Sequence, residues 1–154
     1  MGKLIIVEND KVEGTDKHNV SGQATNPSAP TIPYVGTGEF DYVGKMTSDL
    51  SDFVKINGKQ VALKNSKSSL DPGKHLGLMG KNFIPPSPAP LPASLKITDI
   101  VGEGKPSTNA GSSFVKVNGV AVLLNNDKID TCGYNHPGNS TVIAENQDFV
   151  RCLA

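Results

Sequence analysis

The chain lacks most of the features by which common classes of protein are recognised. Tryptophan is absent, aromatic residues make up 5% of the 154 residues, and hydrophobic residues make up only 36%. Such a composition offers little apolar material for a thick core, so we expect another interaction to help hold the fold together. Basic and acidic residues balance at 15 each, which argues against the positive surface that nucleic-acid binding requires.

Other absences narrow the functional classes further. Two cysteines are too few for a disulfide scaffold. No apolar run reaches membrane-spanning length, and LIIV (4–7) is too short for a secretory signal, so we expect synthesis in the cytoplasm. The HExxH, GxSxG and P-loop patterns are all missing. By contrast, 16 glycines and 11 prolines favour turns and short strands over long helices.

The chain contains an internal repeat. FVKINGKQVALKNSK (53–67) and FVKVNGVAVLLNNDK (114–128) are identical at nine of fifteen positions without a gap. In each copy, two segments of alternating apolar residues flank an Asn-Gly pair, Asn57-Gly58 or Asn118-Gly119. Because Asn-Gly suits the two positive φ angles of a type I′ turn, each copy is predicted to form a β-hairpin.

The end of the repeat occurs a third time, at the N-terminus. The shared pattern is apolar-x-Asn-[Asp/Ser]-Lys, found in VENDK (7–11), LKNSK (63–67) and LNNDK (124–128). The missing first strand of this third unit is supplied by the C-terminus, where DFVRCLA (148–154) resembles the start of the other two. We therefore predict that 149–153 pairs with 4–8 and closes a ring of three units, which removes free sheet edges.

The predicted fold is all-β: a small pseudo-threefold cone of β-hairpins, closed by pairing of the N- and C-terminal strands, in one domain of residues 1–154. The connections between units carry the proline-containing segments 26–34 and 85–94, which are expected to be extended and not helical. Segments 35–44 and 100–107 are expected to add short strands. The alternative for 85–94 is a flexible linker between domains.

A histidine follows each of the three pattern ends: His18, His75 and His136 come seven, eight and eight residues after the lysine. These are all the histidines in the chain. Equivalent positions in a threefold ring converge near its axis, so three imidazoles would meet there. Cys132, whose counterpart in the 53–75 copy is Asp71, would provide the fourth ligand of a tetrahedral metal.

The predicted metal site is therefore His18, His75, Cys132 and His136. Closed coordination by three His and one Cys is typical of a structural zinc site, and iron is also compatible with these ligands. Two alternatives remain: the histidines are simply exposed, and Cys132 is an idle thiol or pairs with Cys152. Because Cys152 aligns with Ile56 and Val117, we interpret it as a small buried apolar residue.

The repeated FVK[IV]NG hairpins, each leading to a loop with histidine, resemble PAAR-repeat and PAAR-like proteins. The resemblance covers most of the chain and is strongest at 53–75 and 114–136, whereas the long proline-containing insertions depart from the compact family pattern. It implies a small β-rich cone that caps and sharpens a trimeric spike of the VgrG type. Such tips belong to contractile injection systems: type VI secretion systems and phage-tail-like extracellular particles.

The resemblance also implies one tip per spike trimer, a His/Cys metal site near the apex at His18, His75, His136 and Cys132, and no enzymatic activity. An effector or toxin is a further expected partner, and contact with the target membrane is transient. The protein would be assembled into a secreted or extracellular particle. Two rival functions remain: a zinc-dependent hydrolase with a three-histidine site, and a carbohydrate-binding or adhesive β domain.

Overall fold

The computed structural model of this protein describes residues 2–26, 29–71, 75–87, 94–132 and 136–154. For residues 29 and 136–138 it describes only the backbone. Regular structure in these ranges is β, apart from a 3₁₀ turn at Gly77–Met79, which confirms the all-β prediction. The strands are β1 (Lys3–Leu4), β2 (Lys11–Asn26), β3 (Ala29–Ser48), β4 (Lys55–Ile56), β5 (Lys59–Gln60), β6 (Lys67–Ser68), β7 (Lys81–Ile84), β8 (Lys96–Ile97), β9 (Lys105–Pro106), β10 (Lys116–Val117), β11 (Val120–Ala121), β12 (Lys128–Thr131), β13 (His136–Ile143) and β14 (Arg151–Cys152).

Both predicted Asn-Gly hairpins are present, as the short ribbons β4–β5 and β10–β11. Asn57 and Gly58 have φ angles of 52° and 77°, and Asn118 and Gly119 have 49° and 79°. Two consecutive residues with positive φ are the requirement of a type I′ turn. The dipeptide therefore specifies both hairpins locally, although their paired strands are only two residues long.

The split third unit is also present, because β1 pairs with β14 in antiparallel register. Lys3 lies opposite Cys152 and Leu4 opposite Arg151. One further hydrogen bond, from the Ile5 amide to the carbonyl of Val150 at 3.1 Å, extends the contact. The predicted pairing of the two chain ends is thus confirmed, but it spans 3–5 with 150–152 where 4–8 with 149–153 was predicted.

The three units join in a closed ring of backbone hydrogen bonds, which we call the central triangle. The amide of Ile6 donates to Leu123, that of Leu123 to Ala62, and that of Ala62 to Ile6, each at 2.9 Å. Around them lie three equivalent bridges: Ile5 with Leu124, Val7 with Val61, and Leu63 with Val122. This cyclic pattern establishes the pseudo-threefold axis.

The recurring Asp or Ser of the sequence pattern closes a turn directly after each edge of the central triangle. The side chains of Asp10, Ser66 and Asp127 accept the amide hydrogen of the residue three positions earlier, at 2.8, 2.8 and 2.9 Å. All three residues are largely buried. A short side chain that satisfies a buried backbone donor locally favours a turn at this point, and this explains why the pattern recurs.

Beyond the ring, the long hairpin β2–β3 dominates the fold. It pairs from Lys11 opposite Lys45 to Asn26 opposite Ala29. The strand order is β6-β3-β2-β13-β12-β9, with β7 added to β3 and β8 added to β2. Ser68 and Gly104 then join the two outer strands by reciprocal backbone hydrogen bonds of 2.9 and 3.3 Å, so that the sheet is nearly closed into a barrel.

The length of this hairpin differs from the sequence prediction, which placed only short strands at 35–44 and an extended connection at 26–34. The inward positions of β2 alternate as expected for a strand, but they include Gly14, Asp16, His18 and Gly22 as well as apolar residues. Polar and glycine residues at inward positions hide the period-two apolar signal. Of the 85–94 segment, residues 88–93 lie outside the described ranges.

Three apolar clusters are arranged along the axis. Because successive side chains of a strand point to opposite faces, Ile6 of the central triangle faces one cluster, whereas Ile5 and Val7 face another. We name them the barrel core (Ile6, Val12, Tyr42, Met46, Ala62, Leu123, Ile129, Val142 and neighbours), the base core (Ile5, Val7, Ile56, Val61, Leu63, Val122, Leu124 and the inward residues of the ribbons) and the distal core (Val20, Ala24, Tyr34, Phe40, Leu95).

Substitution of the turn glycines tests whether each Asn-Gly pair determines its hairpin turn. Replacing Gly58 or Gly119 with alanine should cost about 1–2 kcal/mol each, because a Cβ meets no atom there but positive φ is strained for an L-residue. Gly102→Ala is the matched control, since its Cβ also meets no atom and its φ lies outside the positive range. In thermal unfolding, Gly102→Ala should therefore keep the melting temperature of the wild type, and both turn variants should have a lower one. Equal melting temperatures for all three variants would contradict the turn assignment.

The split unit depends on Gln147, whose amide donates to the carbonyls of Ile5 and Val150 at 2.6 and 3.1 Å. Its side-chain oxygen accepts the amides of Phe149 and Val150. Gln147→Ala should lower the free energy of unfolding by about 2 kcal/mol, because buried backbone groups lose their partners. Urea denaturation checks this against Gln23→Ala, which changes an exposed glutamine of β2. Equal losses in the two variants would refute the assigned role.

Candidate metal centre

Four chemically suitable side chains converge at the end of the barrel core. Asp16 and His18 lie two residues apart on β2 and so share its inward face. His75 lies between β6 and the 3₁₀ turn, and Cys132 directly follows β12 with a φ of 50°. All four are buried, with exposed fractions of 0%, 1%, 6% and 0% in that order.

The donor atoms of these side chains lie within 4.8 Å of one another. Asp16 Oδ2 is 3.1 Å from His75 Nε2 and 2.9 Å from Cys132 Sγ, and the sulfur is 3.5 Å from the same His75 nitrogen. Each of the three repeat units contributes: the split unit supplies Asp16 and His18, and the other two supply His75 and Cys132. The cluster therefore joins all three units at one point.

Aromatic rings enclose the two imidazoles. The His18 and His75 ring centroids are 5.2 Å apart, and the Phe40 ring lies 5.7 Å from His18 and 6.1 Å from His75. Tyr42 contacts His75 edge to face at 5.9 Å. Because the four side chains of the cluster are buried, electrostatic interactions inside it are stronger than they would be in solvent.

The electrostatics of the cluster favour a carboxylate beside a neutral thiol. Burial opposes ionisation of Asp16, but hydrogen bonds from His75, Cys132 and Thr131 outweigh it and hold the pKa of its carboxyl below the ordinary value. Burial raises the pKa of the Cys132 thiol far above its ordinary value, and the hydrogen bond to Asp16 raises it further. A metal that binds Cys132 as thiolate must therefore displace a proton.

The donor set fits a metal ion. Two imidazole nitrogens, one sulfur and one carboxylate oxygen are all established zinc ligands, and four donors suffice for tetrahedral coordination. Donors about 2.0–2.3 Å from a shared zinc lie within roughly 4 Å of one another, so the observed cluster needs only a small contraction. The Asp/His/His/Cys cluster is thus able to bind a metal ion.

The structure brings together three of the four predicted ligands, His18, His75 and Cys132. The side chain of His136 lies outside the described residues. The sequence pattern does not indicate Asp16, although it shares a strand face with His18, because 11–26 lacks the apolar alternation that predicts a strand. Pairing of Cys132 with Cys152 is wrong, since both cysteines are free. Cys152 packs against the base core as expected of a small apolar residue, but it is half-buried and not buried as predicted.

The cluster lies between the barrel core and the distal core, well before the end of the molecule. β2 continues eight residues beyond His18, to Asn26, which corresponds to roughly 26 Å of extended chain. The resemblance drawn from sequence implies a metal near the apex of the cone. In this chain a distal extension of β2 and β3 passes the cluster, so the cluster lies at the base of that extension.

Comparison with known proteins finds no matching family model, no matching curated protein and no matching solved structure. Within the described ranges, the chain has no helix of the length and apolar character needed to cross a membrane.

We expect the purified, untagged chain to bind one zinc ion, and Cys132→Ser to lose most of that binding because it removes the sulfur donor. Metal content by elemental analysis checks the stoichiometry. With free zinc at roughly 1,000 times its Kd, binding should add about 4 kcal/mol of stability, seen as a rise in melting temperature. Cys152→Ser is the matched control and should retain the metal. No metal in the wild type would contradict the site.

The same measurement identifies the fourth ligand. Asp16→Ala should weaken zinc binding, whereas His136→Ala should leave it unchanged if the carboxylate completes the site. The opposite result would restore the three-histidine, one-cysteine set predicted from sequence.

Proposed function

We propose that this protein is a structural spike-tip protein of the PAAR-like kind, which caps and sharpens a trimeric VgrG-like spike of a contractile injection system. The observation that carries the proposal is a set of three equivalent exposed phenylalanines on a pseudo-threefold base. The proposed partner is a threefold-symmetric protein, with one copy of this chain bound to three copies of the spike subunit.

The three phenylalanines occupy the same position in each unit. Phe53, Phe114 and Phe149 are 64%, 69% and 61% exposed, although each lies beside an inward-facing valine that packs on the base core. Exposed large apolar side chains are individually common. Their repetition in all three units instead favours a contact surface, because aromatic anchors contribute strongly to interfaces.

A positive charge accompanies each phenylalanine two residues later. Lys55, Lys116 and Arg151, each two residues after a phenylalanine, are exposed and begin the strands β4, β10 and β14. The base therefore presents one apolar group and one cation three times around its axis. A trimer of identical subunits offers three identical binding sites. A single chain can occupy all three at once only if it presents the same contact groups three times.

The position of this base is consistent with docking at one end. The base core lies on the opposite side of the central triangle from the barrel core, and the ribbons that follow the phenylalanines pack on it through their inward residues. The distal extension therefore points away from the docked spike. In the proposed assembly it is the leading end, which contacts the target envelope.

The buried cluster supports a structural role for the metal, proposed here to be zinc. A catalytic zinc keeps one coordination position open to water and substrate. Here Asp16, His18, His75 and Cys132 offer four donors, and none is more than 6% exposed. This arrangement favours a metal that stabilises the fold over the rival zinc-dependent hydrolase.

The deciding experiment is co-expression with the trimeric VgrG-like spike protein encoded by the same genome, followed by purification on a tag carried by the spike. We expect a complex with one copy of this chain per trimer, measured by native mass spectrometry. Replacing Phe53, Phe114 and Phe149 with serine should weaken binding by on the order of 10³-fold or more, because three central anchors are lost.

A distal triple variant, Val35→Ser, Leu78→Ser and Ile100→Ser, is the matched control. It removes three exposed apolar side chains that lie beyond the barrel core and away from the base, with exposed fractions of 76%, 48% and 61%. It should bind the spike as tightly as the wild type. Failure of the wild type to co-purify, or equal binding by the two triple variants, would refute docking through the base.

A further inference from the structure

Asp99 reaches the candidate metal centre from the connection between the 53–75 and 114–136 copies of the repeat. It lies two residues after β8, which pairs with β2 through Val20 opposite Ile97. The pairing continues beyond the strand, since the amide of Thr98 donates to the carbonyl of Asn19 at 2.9 Å. This register places Asp99 beside His18.

Both carboxylate oxygens of Asp99 are engaged. Oδ1 is 2.6 Å from Nδ1 of His18, and Oδ2 accepts the backbone amide of Asn19 at 3.0 Å. The His18 side chain is 1% exposed and that of Asp99 is 23% exposed, so a partly exposed carboxylate contacts a buried imidazole. The backbone contact fixes the carboxylate, and the carboxylate in turn fixes the ring.

We propose that Asp99 is a positioning residue for the metal, acting through His18. The carboxylate keeps the ring proton on Nδ1 and presents the Nε2 lone pair to the cluster. Asp99 does not belong to the group whose donor atoms lie within 4.8 Å of one another, so its role differs from that of Asp16. A carboxylate that accepts the second N–H of a ligating histidine orients the ring and increases its basicity. This inference rests on the proposed metal site.

The same segment also contacts a second ligand. Gly102, three residues after Asp99, accepts a hydrogen bond from Cys132 Sγ at 3.8 Å through its carbonyl oxygen. Residues 98–104 therefore contact both His18 and Cys132 in the metal-free protein. Because zinc displaces the thiol proton, the Gly102 contact is lost on binding, and the segment supports the metal through Asp99 and His18.

The test is zinc affinity, measured on the untagged full chain by competition with a chromophoric chelator. Asp99→Ala should weaken zinc binding by about 10- to 100-fold, the loss typical when the carboxylate partner of a ligating histidine is removed. Asp99→Asn should lose less, because its amide oxygen can still accept the His18 N–H. Asp41→Asn is the control: this carboxylate lies on β3 and pairs with Lys81 at 2.8 Å. It should bind zinc like the wild type.

Cobalt(II) provides a readout that a merely structural role would not change. All variants should bind one cobalt with thiolate-to-metal charge-transfer absorption, and only the Asp99 variants should shift the visible d–d bands, because only their imidazole ligand is reoriented. If the wild type binds zinc and the Asp99 variants match its affinity and cobalt spectrum, the positioning role is wrong and the metal site stands. If the wild type binds neither metal, both fail. Should Asp99→Ala not fold, Asp99→Asn decides by the same criteria.

Discussion

The closed ring of three hydrogen bonds between Ile6, Ala62 and Leu123 is the constraint on which the rest of the structure depends. It holds one strand from each unit at the same distance from a common axis, and it leaves no free edge at the centre. Since successive side chains alternate, Ile6, Ala62 and Leu123 pack into the barrel core on one side of the triangle, and their chain neighbours pack into the base core on the other side. A chain with few large apolar residues thereby obtains two cores from three short segments.

The parts of the fold that sequence predicted are those specified locally and repeatedly. Asn-Gly dictates each hairpin turn, and Asp10, Ser66 and Asp127 close the turns after the triangle, so their recurrence in sequence reports a recurring structure. The long hairpin was missed because Asp16 and His18 occupy inward positions that are usually apolar. Barrel closure through Ser68 and Gly104 joins residues distant in sequence, and no local pattern encodes it.

The candidate metal centre was predictable only in the part that follows the repeat. His18 and His75 keep a near-constant distance from the preceding pattern, and Cys132 precedes the third histidine by four residues. Asp16 has no counterpart in that spacing. It joins the cluster because β2 remains extended beyond Gly14, so residues 16 and 18 face inward together. Asp16 is placed in the cluster by the extended strand and not by the repeat motif, so it can be recognised as a ligand only once the strand is known.

The threefold symmetry of the base ends where the insertions begin, and this is where the cluster lies. At the triangle, backbone hydrogen bonds join three equivalent strands. Beyond it, β2 and β3 continue into the distal extension, where the short strands β8 and β7 are added to them, because a two-stranded ribbon is only marginally stable by itself. Side chains from all three units meet at the point where that ribbon leaves the barrel. A metal there would tie the extension to every unit, as the triangle ties the base.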